Sequence, residues 1–414
     1  MRQRENEYER AVALSTVTST DSSSFNIIRR SNQNAETFFN ANNIVISGCG
    51  SMKQNLLISL LAEHQSLPII IITDEQRSRL AMTLQNTMSA NFSFVRHNKE
   101  SSCYNFLRHK STPEMVQFFT QIANENGLFE QRRVESELLL RSILQLSTYS
   151  TNVFTAIANG RLTGEFLLSE INRHHQQAKL SDNERASLIA SINSSISATQ
   201  NVSVAFCDLF YIMNNMQGIP FSVKDIIDHK RRVCFSLDGN INMRNKCWYL
   251  SKMLSYDLND YLNKSNEPFL LILDLSNKDK LTMFSEIVGA QRAKVIMNID
   301  NSEYLSDNYS VSNFQELYIF SHPDLNSAKY WSEYFATHKV AEYTYSSNNN
   351  QTNKYPLLPL NIGSIFGEIS KGTSTSYRMI DKYVFEINEI RELRDHEFIY
   401  YNHMDRKPIK YTLR

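Results

Sequence analysis

The chain has 414 residues, 42% hydrophobic, 11% aromatic and 21% charged, which supplies a large core and excludes a disordered tail. Lysine plus arginine, at 43, equals aspartate plus glutamate, at 43, so overall charge cannot hold nucleic acid or anionic lipid and any such contact must be local. At about 150 residues per domain, the length allows about two or three domains.

Residues 1–42 open with a charged stretch, Arg2 to Arg10, and continue through Ser15 to Ser24, a composition that predicts a flexible N-terminal arm with little core and no secretory signal. Asn43-Ile44-Val45-Ile46 then predicts a strand, residues 47–51 a tight loop, and residues 53–62 a helix with Leu56, Leu57, Leu60 and Leu61 at helical spacing. Residues 68–73 form an unalternating apolar run, the pattern of a parallel strand covered on both faces. These pieces make a βαβ unit.

From 111 to 215 the pattern is helical, with Ser111-Thr112-Pro113-Glu114 and Ser181-Asp182-Asn183-Glu184 as Ser-x-x-Glu capping signals. After Gly218-Ile219-Pro220 the alternation resumes, with strands expected at 232–237, 269–273, 295–299 and 317–320 and helices at 243–262, 281–290 and 327–337. Residues 346–353 read as a polar, Asn-rich loop, and the tail ends in strand-like pieces at 398–401 and 409–413. The expected organisation is an α/β domain in two parts, 43–110 and 216–414, interrupted by an all-α domain at 111–215. The five cysteines, Cys49, Cys103, Cys207, Cys234 and Cys247, form no C-x-x-C pair, which suits a reducing cytoplasm. The longest apolar runs fall far short of the ~20 residues that span a bilayer.

The chemistry concentrates at Ser47-Gly48-Cys49-Gly50-Ser51-Met52-Lys53-Gln54, because a glycine-rich turn between strand and helix aims backbone N–H groups and a positive helix end at an anion. Gly48, Cys49, Gly50, Ser51, Lys53 and Gln54 are the candidate nucleotide-binding residues, set against an ordinary βα turn with a solvated lysine. Against the pattern G-x-x-x-x-G-K-[ST], the lysine and loop length agree. Ser47, Met52 and Gln54, however, replace both glycines and the hydroxyl that would hold Mg²⁺. Asp274, ending an apolar strand, is the candidate catalytic and metal-binding carboxylate. Leu275 follows it, where a ring-type ATPase carries a second acid, so no general base is evident. Arg292 is a candidate cation for a neighbouring subunit's site, set against the simpler account of a surface arginine at a helix C-terminus. His174, His175, Arg132 and Arg133 read as solvated helix faces, and Trp248 and Trp331 as core.

In order and kind, these parts resemble the TraG/TraD-type type IV coupling proteins, the P-loop ATPases of conjugative DNA transfer. The resemblance runs over roughly residues 43–414 and is carried by the strand ending at Asp74, Tyr104-Asn105-Phe106-Leu107, the helical stretch, the Asp274 strand and Asp300 to Leu305 with Tyr309. In the tail it is carried by Gly372 to Arg378, which matches a Gly/Ser-Tyr-Arg turn, by Glu386 to Leu393 as a helix, and by Lys407-Pro408-Ile409 as a strand. A counterpart of the family's transmembrane anchor is not expected within these residues. The resemblance implies a RecA-like P-loop NTPase domain with an inserted all-α domain. It also implies type IV secretion or conjugation components as partners, a homo- or hetero-oligomeric ring with an active paralogue, DNA contact, and a place in the cytoplasm or at the inner face of the membrane. ATP and Mg²⁺ are the cofactors it implies, if the altered loop still binds them. Three functions follow as expectations: a degenerate scaffold or accessory subunit, a working motor with an unusual metal shell, or a protein-binding adaptor without DNA contact.

Overall fold

The computed structural model describes residues 43–62, 66–74, 79–87, 92–96, 101–125, 132–237, 244–265, 267–276, 278–289, 293–306, 311–351, 369–403 and 407–413. They fall into two compact units, Met1–Ser321 with Arg394–Arg414, and His322–Leu393.

The larger unit is built on a nine-stranded sheet. In chain order its elements are β1 (Ile44–Ser47), α1 (Ser51–Ala62), β2 (Ile69–Thr73), α2 (Arg79–Thr87), β3 (Ser93–Val95) and β4 (Ser102–Tyr104). The helices α3 (Thr112–Glu125), α4 (Arg133–Ser147), α5 (Asn152–Ala158), α6 (Gly164–Gln176), α7 (Asp182–Ser195) and α8 (Thr199–Asn215) follow. The chain then returns through β5 (Gln217–Phe221), α9 (Val223–Asp228), β6 (Arg232–Ser236), α10 (Arg244–Lys264) and β7 (Leu270–Asp274). It continues through α11 (Lys278–Thr282), α12 (Ser285–Gly289), β8 (Lys294–Ile299), α13 (Glu303–Ser306) and β9 (Glu316–Ile319). In the smaller unit lie α14 (Leu325–Tyr334), β10 (Thr337–Gln351), β11 (Ile369–Tyr383) and α15 (Ile387–Arg391), after which β12 (Glu397–Asn402) and β13 (Ile409–Thr412) rejoin the sheet of the larger unit.

The strand order is β13-β12-β9-β1-β8-β7-β2-β6-β3. From β9 to β3 every pairing is parallel, and only β12 and β13 run antiparallel. This explains the unalternating runs: β1 and β2 are buried at every position, and β7 at every position before Asp274. Leu56, Leu57, Leu60 and Leu61 of α1 are buried in the same core cluster as Ile44, Ile46, Ile69 and Ile71.

The helical stretch leaves and returns through adjacent strands. β4 and β5 pair with Ser102 opposite Gln217 and Tyr104 opposite Phe221, as a two-stranded parallel sheet of their own. Buried Asp257 of α10 sits at this base: Lys110 Nζ lies 3.0 Å from it, and Tyr104 Oη and the Val223 N–H donate to it at 2.9 and 2.8 Å. Both capping signals act as expected. Glu114 accepts from the Ser111 N–H and hydroxyl at 2.6 and 2.7 Å, and Ser181 forms a reciprocal capping box with Glu184.

Several local expectations are corrected. Residues 346–351 are not a loop: they belong to β10, with Ser346 opposite Ser374 and Gln351 opposite Ile369. Residues 372–378 are not a turn but the partner strand. Backbone pairing over fifteen residues overrides the poor strand preference of asparagine, because the ladder uses main-chain groups whatever the side chains. The single helix expected at 281–290 is broken at Met283–Phe284 into α11 and α12. In the smaller unit Trp331 is fully buried and donates through Nε1 to His322 Nε2 at 3.1 Å, while Trp248 is only partly buried.

Candidate functional site

The chain reverses direction across the sheet at β1. From it, β2 is placed three strands to one side, whereas β8 leads to β9 on the other. In open parallel sheets the crevice at such a switch point, at the C-terminal ends of the strands, is where ligands bind. Here that edge collects the loop after Ser47, Asp74 after β2, Asp274 at the end of β7, and Asn298 to Asp300 at the end of β8.

The loop at 48–50 is tightly tied to the sheet. Gly48 donates its N–H to the Ile299 carbonyl at 3.0 Å, and Cys49 donates to the Ser321 carbonyl at 2.8 Å. Gly48 has φ of +102°, and a Cβ there would lie 2.8 Å from the carbonyl oxygens of both Phe320 and Ser321, so only glycine fits. Cys49 is exposed and Gly50 partly exposed, and Ser51 opens α1, where the Lys53 N–H donates to the Gly50 carbonyl at 3.3 Å. Met52 packs against the core cluster, and Gln54 is half-buried.

Lys53 decides what this loop can do. Its side chain is buried, and Nζ donates to the Gly48 carbonyl at 2.7 Å, to the Ile299 carbonyl at 2.7 Å and to Asp300 Oδ1 at 2.8 Å. An ammonium has three donors, and the protein uses all three. A phosphate therefore gains no hydrogen bond from Lys53 until one of these partners is displaced. Asp300 is the candidate for displacement, with its side chain 65% exposed.

Asp274 faces a neighbour as well: Asn298 Nδ2 donates to its Oδ1 at 2.6 Å, while Asn298 Oδ1 is buried with no hydrogen-bond partner. Asp74 Oδ2 accepts from the Ser276 N–H at 2.9 Å and its hydroxyl at 2.5 Å, and Tyr304 donates to the Ser276 carbonyl at 2.6 Å. Burial first, then the carboxylates of Asp300, Asp74 and Glu303, push the Tyr304 phenol above its usual range. Among the described residues, this edge gathers Asp74, Asp274, Asp300 and Glu303 together with two ammonium groups, that of Lys53 and that of Lys280, whose Nζ donates to the Leu237 carbonyl at 2.7 Å just past β6. As the arrangement stands, Lys53 has no donor left over for a nucleotide, Gln54 stands where the motif's hydroxyl would hold Mg²⁺, and Asp274 accepts from the Asn298 amide.

The structure brings Gly48, Cys49, Gly50, Ser51, Lys53 and Gln54 to one turn and Asp274 to the same edge of the sheet, whereas Arg292 lies outside the described residues. Asn298 escapes the sequence patterns, and so does the tie between Lys53 and Asp300, because the two lie in separate motifs that no spacing rule connects. His174 is not a solvated face. It is 3% exposed, with Nε2 3.6 Å from Glu170 Oε2, and that oxygen accepts from Ser150 Oγ and Arg173 Nη2, both at 2.6 Å. Burying this carboxylate among donors is what carries the histidine inward.

No protein-family model matches the sequence, and no curated protein matches it. Solved structures do. The unbound conjugative coupling protein TrwB is similar with a TM-score of 0.55 and 12% identity, over 95% of this chain and 92% of that one. TrwB in complex with ADP and Mg²⁺ gives 0.56 at 12% identity, and TrwB with a non-hydrolysable ATP analogue gives 0.52 at 12%, each over 95% of this chain and 92% of the other. The chain therefore has the RecA-like P-loop NTPase fold with an all-α insertion. Among the described residues, no helix is long and apolar enough to cross a membrane.

Proposed function

We propose that this chain is a coupling-protein-like scaffold or accessory subunit in conjugative DNA transfer or type IV secretion, with little or no ATP hydrolysis. The shared fold supports the setting, and the observation that carries the loss of turnover is the buried Lys53 ammonium, whose three donors are used by Gly48, Ile299 and Asp300. Phosphoryl transfer rests on positioning and on cations aimed at developing charge. Here the lysine is neutralised in place, Gln54 stands where a hydroxyl holds Mg²⁺, and Leu275 stands where an acid polarises water.

The architecture remains useful without turnover. The α/β part supplies the ring-forming shape and the helical insertion at 111–215 supplies a partner surface, while the segment 1–42, expected from its composition to be an arm, lies outside the described residues. Its partners are type IV secretion or conjugation components, including an active paralogue in a shared ring at the inner face of the membrane. Steady-state phosphate release by the purified chain tests this reading. It is expected to match a protein-free blank, with and without DNA. Turnover abolished by Lys53→Ala would establish a working motor instead.

A further inference from the structure

We infer that Asp300 is a built-in competitor for phosphate at Lys53, and that its charge, more than the altered loop residues, sets how weakly this crevice holds a polyphosphate. The inference rests on reading the 47–54 turn as an inherited anion site.

Of the three groups on the ammonium, two are backbone carbonyls. Those of Gly48 and Ile299 are fixed by the turn and by the end of β8, are neutral, and cannot swing away without breaking the loop. The third is different. Asp300 is charged, sits one residue past the end of β8, and is 65% exposed, so its side chain can leave for water. A phosphate oxygen reaching Lys53 must take the donor that Asp300 holds. It then meets a like charge in the place it needs.

The energetics make this a contest and not a permanent closure. An ion pair with one largely exposed partner is held weakly against solvent. The buried ammonium meanwhile keeps its two carbonyls whichever anion sits on the third donor. The other nearby acids cannot play this part, because Asp74 is taken up by Ser276 and Asp274 by Asn298. The ligand class is a polyanion, the triphosphate chain of a nucleotide or inorganic tripolyphosphate, since multiple charges favour the exchange.

The test is equilibrium binding of a fluorescent ATP analogue and of inorganic tripolyphosphate to the full chain at low and high salt. The wild type is compared with Asp300→Asn, Asp300→Ala and Asp300→Glu. Both neutral variants are expected to bind at least fivefold tighter than wild type, the gain shrinking with salt, while Asp300→Glu, which keeps the charge, stays within twofold of wild type. Adding Lys53→Met to Asp300→Asn is expected to erase the gain. A gain below fivefold in either neutral variant, an equal gain in Asp300→Glu, or a gain that survives Lys53→Met overturns the inference. Phosphate release is read in parallel. Lys53-dependent turnover by wild type would refute the scaffold reading while leaving the affinity ratio, and hence this inference, to stand or fall separately.

Discussion

Replacing Lys53 by methionine, which keeps the length of the stem and removes the ammonium, should destabilise the chain even where no ligand is present. The carbonyls of Gly48 and Ile299 each lose a charged donor at 2.7 Å, although Ile299 keeps the Gly48 N–H at 3.0 Å. Hydrogen bonds to charged groups contribute about 1.5–3 kcal/mol each. The link to Asp300 adds about 0–1 kcal/mol because that carboxylate is largely in water. Against these losses, the variant no longer desolvates an ammonium, which returns part of the cost. The net expectation is a loss of about 2–4 kcal/mol, or a fall in Tm of about 4–8 °C at roughly 2 °C per kcal/mol for a large domain. Differential scanning calorimetry of the unliganded protein reads this directly. A Tm within 1 °C of wild type would mean that Lys53 is not a strut of the loop, and the account of a spent lysine would fail with it.

Gly48→Ala places a methyl 2.8 Å from two carbonyl oxygens at a φ of +102°, and should cost about 2–4 kcal/mol in urea unfolding; a neutral outcome would mean the turn is not held as described. Asp257→Ala leaves buried Lys110 short of a partner and removes the acceptor of Tyr104 Oη and the Val223 N–H, for an expected loss of about 3–5 kcal/mol that limited proteolysis of 111–215 would report as earlier cleavage. The hydrogen bonds from Lys264 and Ser111 lower the Glu114 carboxyl from 4.5 to about 2, so its stabilisation is present above pH 4.5 and is lost as pH falls toward 2. Wild type should therefore be more stable than Glu114→Gln at pH 6 and indistinguishable from it near pH 2, with a constant gap counting against the assignment.

The parallel sheet was legible in the sequence because strands covered on both faces are written as unbroken apolar runs, as in Ile69-Ile70-Ile71-Ile72 and Leu270-Leu271-Ile272-Leu273. The helices between β4 and β5 announced themselves by capping chemistry, Ser111 with Glu114 and Ser181 with Glu184, which is local and hence readable. What could not be read is what depends on a distant partner. β10 looks like a loop until residues 369–383 are laid against it, β3 and β4 have only three residues each, and β5 is exposed at four of its five positions and carries Gly218 and Pro220, which read as a turn. The same holds at the site. The motif located Lys53, but its bonds run to Ile299 and Asp300, almost 250 residues away, and no spacing rule connects them.

The pairing of β4 with β5 has a further consequence for how this fold tolerates change. The two chain crossings lie one strand apart, so everything from 105 to 216 is a closed excursion from the sheet. Closing a flexible excursion of roughly a hundred residues costs only about 2 kcal/mol more than closing one of ten, because the entropy grows with the logarithm of length. As far as closure entropy goes, the length of chain hung there matters little while the clasp of Ser102 to Tyr104 against Gln217 to Phe221 holds the ends together. What fixes these particular helices is their grip on α10, where Tyr249 donates to the Ala205 carbonyl and Tyr256 to that of Glu114.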